Sequence, residues 1–377
     1  MKTKLIVYMY SLANWGGAEN IIFKLCNYLQ NTKLYDITVV GLVDEQPSLE
    51  KDLERLSIKT ISLKLSDKRS VLLQLPTLFK LLRILRRENP DILLNVLFPC
   101  ILTGGILGKL AGIKHIIGNL HGPAYFKKSI AIVLDRLVSR FYEGYIAVAP
   151  HIKDQFSTRE KIPAKKITVI QNGLEQKKVT ADFEKNKLRA KFGIGKTDLV
   201  LGTIGRIYPE KNQKYLVDIG QELLKQVKDL KLLIVGDGPK FEELKKYITE
   251  RNMNEHCILP GWQSTTADFL NIMELFVLPS HYEGMPCSIL EAWQQKIPVV
   301  GTAVPGIKDL VIDNKDALLI PKDNAALAAD QIMTLLSNRD QITAMVNTGY
   351  QNWKEKYTVD KMCAGYNTYL QKILGNI

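Results

Sequence analysis

Short apolar runs recur along the chain, and most are followed by a stretch in which apolar residues return every three or four positions. Continuous runs of this kind predict buried strands, and the three-to-four spacing predicts helices. In the first half, strands are expected at Lys4–Tyr10, Ile37–Val43, Thr60–Leu65, Asp91–Leu97, His115–Leu120, Tyr145–Ala149 and Ile167–Gln171. Between them, Ala18–Gln30 sets Ile21, Ile22, Leu25 and Leu29 on one face, and Leu78–Arg87 does the same with Leu78, Leu81, Leu82 and Leu85. Residues 174–197 break the rhythm with many charges and few apolar positions, and read as a linker with a short surface helix. The alternation then restarts with strands at Leu199–Ile204, Leu230–Val235, Cys257–Leu259, Leu275–Pro279, Pro298–Thr302 and Ala317–Ile320, again with helices between them. Strands that are apolar on both faces and alternate with helices imply a parallel sheet covered on both sides. The pattern therefore predicts an α/β protein of two Rossmann-like, doubly wound domains, residues 1–174 and 175–358. A last amphipathic segment, Val359–Leu374, has no strand after it. Two such domains facing each other enclose a cleft at the carboxyl ends of their strands, where open α/β sheets bind ligands.

Composition narrows the class. Of 377 residues, 46% are apolar and 24% charged, which excludes a disordered chain and a polytopic membrane protein. The longest charge-free stretch, Ile92 to Gly108, is interrupted by Asn95, Pro99, Gly104 and Gly105 and falls short of the roughly 20 apolar residues of a spanning helix. The opening MKTKLIVYMYS is too short and too strand-like for a signal peptide, so the protein is expected to be soluble and to stay in the cytoplasm. The five cysteines form no C-x-x-C pair, and the five histidines show no H-x-x-x-H spacing. Neither a disulfide scaffold nor a structural zinc is expected. Residues 1–170 hold 25 Lys and Arg against 14 Asp and Glu, a net of +11 out of +12 for the chain. An excess confined to one half suggests that this half meets something anionic.

Candidate chemistry lies at the strand ends. The loop SLANWGGAEN follows the first strand, and Gly16-Gly17 stand just before a helix N-terminus. That arrangement suits either a plain turn or a close approach to an anion. It is not the G-x-G-x-x-G fingerprint of a dinucleotide enzyme. After Leu199–Ile204 come Gly205-Arg206 and Pro209-Glu210-Lys211. Two cations near a helix start can converge on a diphosphate, or Lys211 can belong to a solvated turn. Gly236-Asp237-Gly238-Pro239 reads as a tight turn or as a floor for a planar group. The most informative segment is LFVLPSHYEGMPCSILEAWQQKIPVV. It places Glu283 in a loop, Gly284, Met285 and Pro286 behind it, and Glu291 about one turn into the following helix. Paired carboxylates accept hydrogen bonds from the diols of ribose and hexose. An unpaired Glu291 among Ile289, Leu290, Ala292 and Trp293 is costly to bury, and a surface position on the helix is the alternative.

G-G-A-E near the start, H-G at 121–122, N-G at 172–173, G-R with P-E-K at 205–211, G-D-G-P at 236–239 and S-x-x-E-G-x-P-x-x-x-x-E at 280–291 together resemble the GT4-like family of retaining glycosyltransferases with the GT-B fold. The resemblance spans nearly the whole chain with the motifs in order. It implies that the C-terminal domain holds a UDP- or GDP-sugar donor through Gly205, Arg206, Lys211, Gly236, Gly238, Glu283, Gly284, Met285, Pro286 and Glu291. Arg206 and Lys211 would neutralise the departing diphosphate, Glu291 would hold the ribose, and Glu283 with the backbone of residues 284–286 would hold the sugar hydroxyls. Gly16 and Gly17 would approach the distal phosphate, and His121 would sit by the transferred sugar. Catalytic roles fall to Arg206, Lys211, Glu283 and His121. Asn172-Gly173 would mark the hinge, and residues 359–377 would cross back to the N-terminal domain.

Breaking the anomeric bond builds negative charge on the diphosphate, which two cations and a helix dipole can stabilise. No D-x-D triplet occurs, so neither a metal nor another cofactor is expected. The resemblance also implies a glycan or lipid-linked acceptor, as in bacterial surface polysaccharide and lipopolysaccharide assembly. Residues 66–88 mix Leu and Phe with Lys68, Arg69, Lys80, Arg83, Arg86 and Arg87, while Lys127-Lys128 follow Tyr125-Phe126. These residues suggest docking of the N-terminal domain on anionic membrane lipid, or a core helix with a basic outer face. No nucleic-acid signature appears. Other GT-B enzymes, such as a nucleotide-sugar 2-epimerase or a sugar phosphorylase, and a non-catalytic nucleotide-sugar or nucleic-acid binding module remain the alternatives.

Overall fold

In a computed structural model of the chain, which describes residues 2–12, 17–43, 48–65, 74–122, 129–176 and 182–377, the two predicted sheets form from the predicted runs. The chain divides into a first unit, residues 1–173 with 359–377, and a second, residues 174–358. The first sheet contains β1 (Thr3–Ser11), β2 (Tyr35–Val43), β3 (Lys59–Leu65), β4 (Ile92–Val96), β5 (His115–Leu120), β6 (Gly144–Ala147) and β7 (Ile167–Val169). All seven run parallel in the order β3-β2-β1-β4-β5-β6-β7. Its helices are α1 (Gly17–Asn31), α2 (Ser48–Arg55), α3 (Leu75–Glu88), α4 (Phe98–Leu110), α5 (Ser129–Val138) and α6 (Pro150–Arg159). Strands β4, β5 and β6 are buried along their whole length, as a sheet covered on both faces requires.

The pattern gave no separate helix for the charge-free stretch after β4. Helix α4 is apolar on every side, so it carries no stripe to read, and it is buried against the sheet and between neighbouring helices. Three small residues make that possible. A side chain at Gly104, Gly105 or Gly108 would collide with Asn95, with Val138 and Tyr142, or with Leu93 respectively.

Helix α7 (Asp182–Lys191) opens the second unit. Its Arg189 guanidinium donates to the carbonyls of Gly195 and Asp198 at 2.8 Å each, and to the Glu274 carboxylate at 3.1 Å. The second sheet contains β8 (Leu199–Ile204), β9 (Leu230–Val235), β10 (Cys257–Gly261), β11 (Leu275–Leu278), β12 (Val299–Thr302) and β13 (Leu318–Ile320). They are parallel in the order β10-β9-β8-β11-β12-β13. Helices α8 (Gln213–Leu223), α9 (Phe241–Glu250), α10 (Thr266–Leu270), α11 (Cys287–Gln294), α12 (Ala325–Ser337) and α13 (Arg339–Lys356) complete it. One core joins Leu201, Leu216, Leu232, Val277, Val300 and Ile332. The strand order reverses between β8 and β11, the topological switch point at which such sheets bind ligands.

The last helix, α14 (Val359–Ile373), belongs to the first unit. It packs along α1 and locks to the sheet by buried polar contacts. The Asn119 amide donates to Tyr366 Oη at 2.9 Å, and Tyr35 Oη donates to Asn367 at 2.8 Å. A buried polar pair must be satisfied to be tolerated, so these contacts fix the register of α14 against β5 and the start of β2.

In the second unit, α11 is set by Trp293, 1% exposed, whose Nε1 donates to the Asp316 carbonyl at 3.0 Å. α13 presents Gly349 to the indole, and any side chain there would strike the ring. Trp293→Ala is expected to cost the second unit about 3–5 kcal/mol by cavity formation, measured by denaturant unfolding. A loss below about 1 kcal/mol would mean that α11 is held by other contacts.

Candidate functional site

The loops that follow β8 and β11 carry the side chains singled out above. After β8 the chain passes Gly205 and Arg206 into a single 3₁₀ turn, Pro209–Lys211. Asn212 takes the left-handed conformation, φ 49°, which asparagine tolerates better than most residues, and α8 begins at the next residue. After β11 the chain enters the loop 279–286, and Pro286 caps α11.

Lys211 and Glu283, 72 residues apart, meet across the switch point. The ammonium lies 2.7 Å from Glu283 Oε1 and 2.9 Å from Oε2. Ser280 Oγ donates to the same Oε1 at 2.6 Å. Glu283 is 7% exposed, so its charge is tolerated only because these donors neutralise it. The loop that carries it is held by backbone. Thr302 Oγ1 donates to the Ser280 carbonyl at 2.5 Å, the His281 N–H donates to the Glu210 carbonyl at 2.8 Å, and the Glu283 N–H donates to the Pro305 carbonyl at 3.3 Å. Gly306 packs so close under Glu283 that a side chain would strike its carbonyl. Tyr282 lies beside the pair. Burial, with the Glu210 and Glu283 carboxylates adding to it, pushes its phenol up to about 12.

Arg206 is exposed, with its guanidinium 5.0 Å from the centre of the Tyr208 ring. It makes no ion pair among the described residues, and its carbonyl accepts from Gln213 Nε2 at 3.0 Å. The exposed guanidinium can meet an anion bidentately without first leaving a carboxylate. Gly236 and Gly238 also serve local packing. A side chain on either would collide with the carbonyl of Gly205 or of Ile207, and Ile207 donates its N–H to the Asp237 carbonyl at 2.8 Å. The two glycines let the β8 and β9 loops stack.

Glu291 is half-buried on α11, Met285 and Pro286 are buried, and Gly284 is half-buried in the loop ahead of the helix. All four thus belong to the β11–α11 connection that carries Glu283. In the first unit, Gly17 is exposed at the start of α1, with open space around its α carbon, and Gly16 lies outside the described residues. His121 follows β5 directly. Its Nε2 is shielded from solvent and meets no hydrogen-bonding partner among the described residues. Burial pushes its imidazole down to about 4, so it is neutral near pH 7. Among the described residues no three His, Cys, Asp or Glu side chains come together as a metal site.

Comparison with known proteins places this geometry. Residues 15–178 match the model of Glycosyltransferase Family 4, and residues 184–352 match that of Glycosyl transferases group 1. The chain is 28% identical to the UDP-Gal:alpha-D-GlcNAc-diphosphoundecaprenol alpha-1,3-galactosyltransferase of Escherichia coli, over 67% of each protein. It is 24% identical to the capsular polysaccharide biosynthesis glycosyltransferase CapM of Staphylococcus aureus, over 80% of this chain and 83% of that one. It superimposes on Anabaena Alr3699/HepE, solved with UDP-glucose, with a TM-score of 0.86 at 19% identity, covering 98% of this chain and 99% of the other. The chain belongs to the GT4-like family of glycosyltransferases, and its two parallel-sheet domains are those of the GT-B class. It is a glycosyltransferase whose relatives act in bacterial polysaccharide, lipopolysaccharide and capsule biosynthesis.

The shifted histidine makes a pH prediction. Its pKa is lower folded than unfolded, so as pH falls from about 6.5 towards 4 the unfolded chain takes up a proton that the native one does not. Stability should fall across that window by up to about 3 kcal/mol from this group. His121→Gln should flatten that part of a melting-temperature profile, and an unchanged slope would contradict the buried neutral assignment.

Proposed function

We propose that the protein moves a hexose-type sugar from a nucleoside diphosphate sugar to a glycan or lipid-linked acceptor, with retention at the anomeric carbon and without a divalent metal. The observation that carries this reading is the Lys211–Glu283–Ser280 cluster across the switch point, with the exposed Arg206 beside it. An ammonium has three donors. Two serve Glu283, which leaves one for a phosphate oxygen, and Arg206 supplies a second cation. As the anomeric bond breaks, charge gathers on the diphosphate, and fixed cations lower that barrier in the way a metal ion would. The Glu283 carboxylate spends both oxygens on Lys211 and one also on Ser280, which makes it a poor nucleophile. That supports a route on one face of the sugar, in which a departing phosphate oxygen takes the acceptor's proton, over a covalent sugar–enzyme intermediate. In this reading Glu283 and the 284–286 backbone hold sugar hydroxyls, Glu291 holds the ribose, and Gly16, Gly17 and the neutral His121 serve from the first unit. UDP is the favoured nucleotide, because the E. coli relative is named for UDP-galactose and the Anabaena protein was solved with UDP-glucose.

Lys211→Ala and Glu283→Gln are each expected to lower transfer from UDP-sugars at least 100-fold, measured as initial rates with circular dichroism as the check on folding. A folded variant that keeps half the rate would remove the pair from the mechanism.

The acceptor side of the proposal rests on the first unit. Helix α3 exposes Leu75 at 72% and Phe79 at 69%, in the same helix as Lys80, Arg83, Arg86 and Arg87. Phe79, Leu82, Arg83 and Arg86 line one shallow groove. Val133 and Leu137 of α5 and Phe141 beyond it are also exposed, with Arg136 and Arg140 interleaved, and α4 touches both α3 and α5. Lys68, Arg69, Tyr125, Phe126, Lys127 and Lys128 lie outside the described residues. Apolar side chains among arginines match an anionic bilayer, apolar groups entering the lipid and guanidiniums meeting phosphates. No described helix is long and apolar enough to cross a membrane, so the proposed attachment is peripheral, on the inner face of the cytoplasmic membrane. Flotation should recover the protein with phosphatidylglycerol vesicles, less with phosphatidylcholine, and less with either after Phe79→Ser with Arg83→Glu. Equal recovery from both lipids would overturn the docking.

A further inference from the structure

Among the described non-glycine residues with positive φ, Leu97 alone is apolar; the rest are lysine, asparagine and serine. Its φ of 70° and ψ of 161° fall in a region that glycine occupies freely and that strains a residue with a side chain. Hydrogen bonds on both sides fix this geometry. The Leu97 N–H donates to the Asn119 carbonyl at 3.3 Å, one residue past the end of β4, and the Leu97 carbonyl accepts from the Ile101 N–H at 3.0 Å, which opens α4. One residue thus turns the chain from a buried strand into a buried helix.

Strain of this kind persists only where something offsets it. Core packing is not the offset here, because Leu97 and Phe98 are half-buried while Val96 and Cys100 to either side are fully enclosed. A glycine would make the same turn without strain. What leucine adds is an apolar side chain at the carboxyl end of β4. That end lies beside β1, where the order β3-β2-β1-β4 reverses, the edge at which this sheet binds ligands. In the β4–β5 register Val96 stands opposite Asn119, so Leu97 lies one step short of His121. The His121 Nε2 is shielded from solvent and has no partner among the described residues. A buried polar atom of this kind is one that a bound hydroxyl would satisfy.

We propose that Leu97 shields the transferred sugar from water on the His121 side, so that the donor reacts with the acceptor and is not hydrolysed. The inference rests on the nucleotide-sugar reading and on the place given there to His121. In the hydrolysis that Leu97 suppresses, a water oxygen bonds to the anomeric carbon and the bond to the diphosphate breaks. The water proton passes to the departing phosphate oxygen, and the products are free sugar and nucleoside diphosphate. Keeping water out of a site prevents this kind of side reaction.

Release of UDP from UDP-glucose and UDP-galactose without acceptor tests this in the full-length protein, with UDP binding by calorimetry and melting temperature measured alongside. Leu97→Gly and Leu97→Ala are each expected to raise UDP release about 10-fold, and Leu97→Met to stay within about 2-fold of wild type. Leu97→Gly should melt above Leu97→Ala, since both lack the side chain and only glycine takes these backbone angles freely. Loss of a merely structural residue would not raise an activity. Unchanged or lower release in the Gly and Ala variants would overturn the shielding, as would a Met variant that rises with them. A Leu97→Ala variant that melts above Leu97→Gly would contradict the strained geometry. Wild-type protein that fails to bind UDP would overturn the nucleotide-sugar reading and the assignment with it, whereas UDP binding with unchanged release removes the assignment alone.

Discussion

The contact on which the rest depends is a carboxylate that the fold buries and then satisfies. Glu283 is almost fully enclosed, and its charge is met by Lys211 at 2.7 Å and Ser280 at 2.6 Å. Removing one partner of such a pair leaves an uncompensated charge at a cost of about 3–5 kcal/mol, so the surrounding backbone is arranged to keep both in place. The switch between β8 and β11 makes the meeting possible, because only there do two neighbouring strands send their following helices to opposite faces and leave a crevice between the loops.

In each unit, buried contacts hold an element that carries a proposed site residue. In the second, the buried Trp293 sets α11, and with it Glu291. In the first, α14 returns to clamp Asn119, two residues before His121, through Tyr366. That the chain's last helix belongs to the first unit is therefore part of how the end of β5 is held. Burial keeps His121 neutral near pH 7, which suits its proposed place beside a sugar hydroxyl.

Much of the architecture was legible because strands buried on both faces announce themselves as unbroken apolar runs, and because the turns between them are rich in glycine and proline. Helix α4 was not legible, since a helix buried on all sides has no periodic stripe. Strand ends moved by only a residue or two, while the helix expected at Leu78–Arg87 begins three residues earlier, at Leu75, and ends at Glu88. In the site, E-x7-E was readable as loop then helix because Pro286 marks the junction. The pairing of Lys211 with Glu283 was not readable, since nothing local links residues 72 positions apart. Gly236 and Gly238 were open to two explanations, and close packing against the Gly205 and Ile207 carbonyls accounts for both glycines.

In the proposed function the donor lies across the two cations of the second unit. A crystal structure of the protein with an intact UDP-sugar should show the diphosphate within hydrogen-bonding distance of Arg206 and Lys211, and a sugar hydroxyl on the Glu283 carboxylate. A nucleotide sugar bound with its phosphates away from both cations would contradict it.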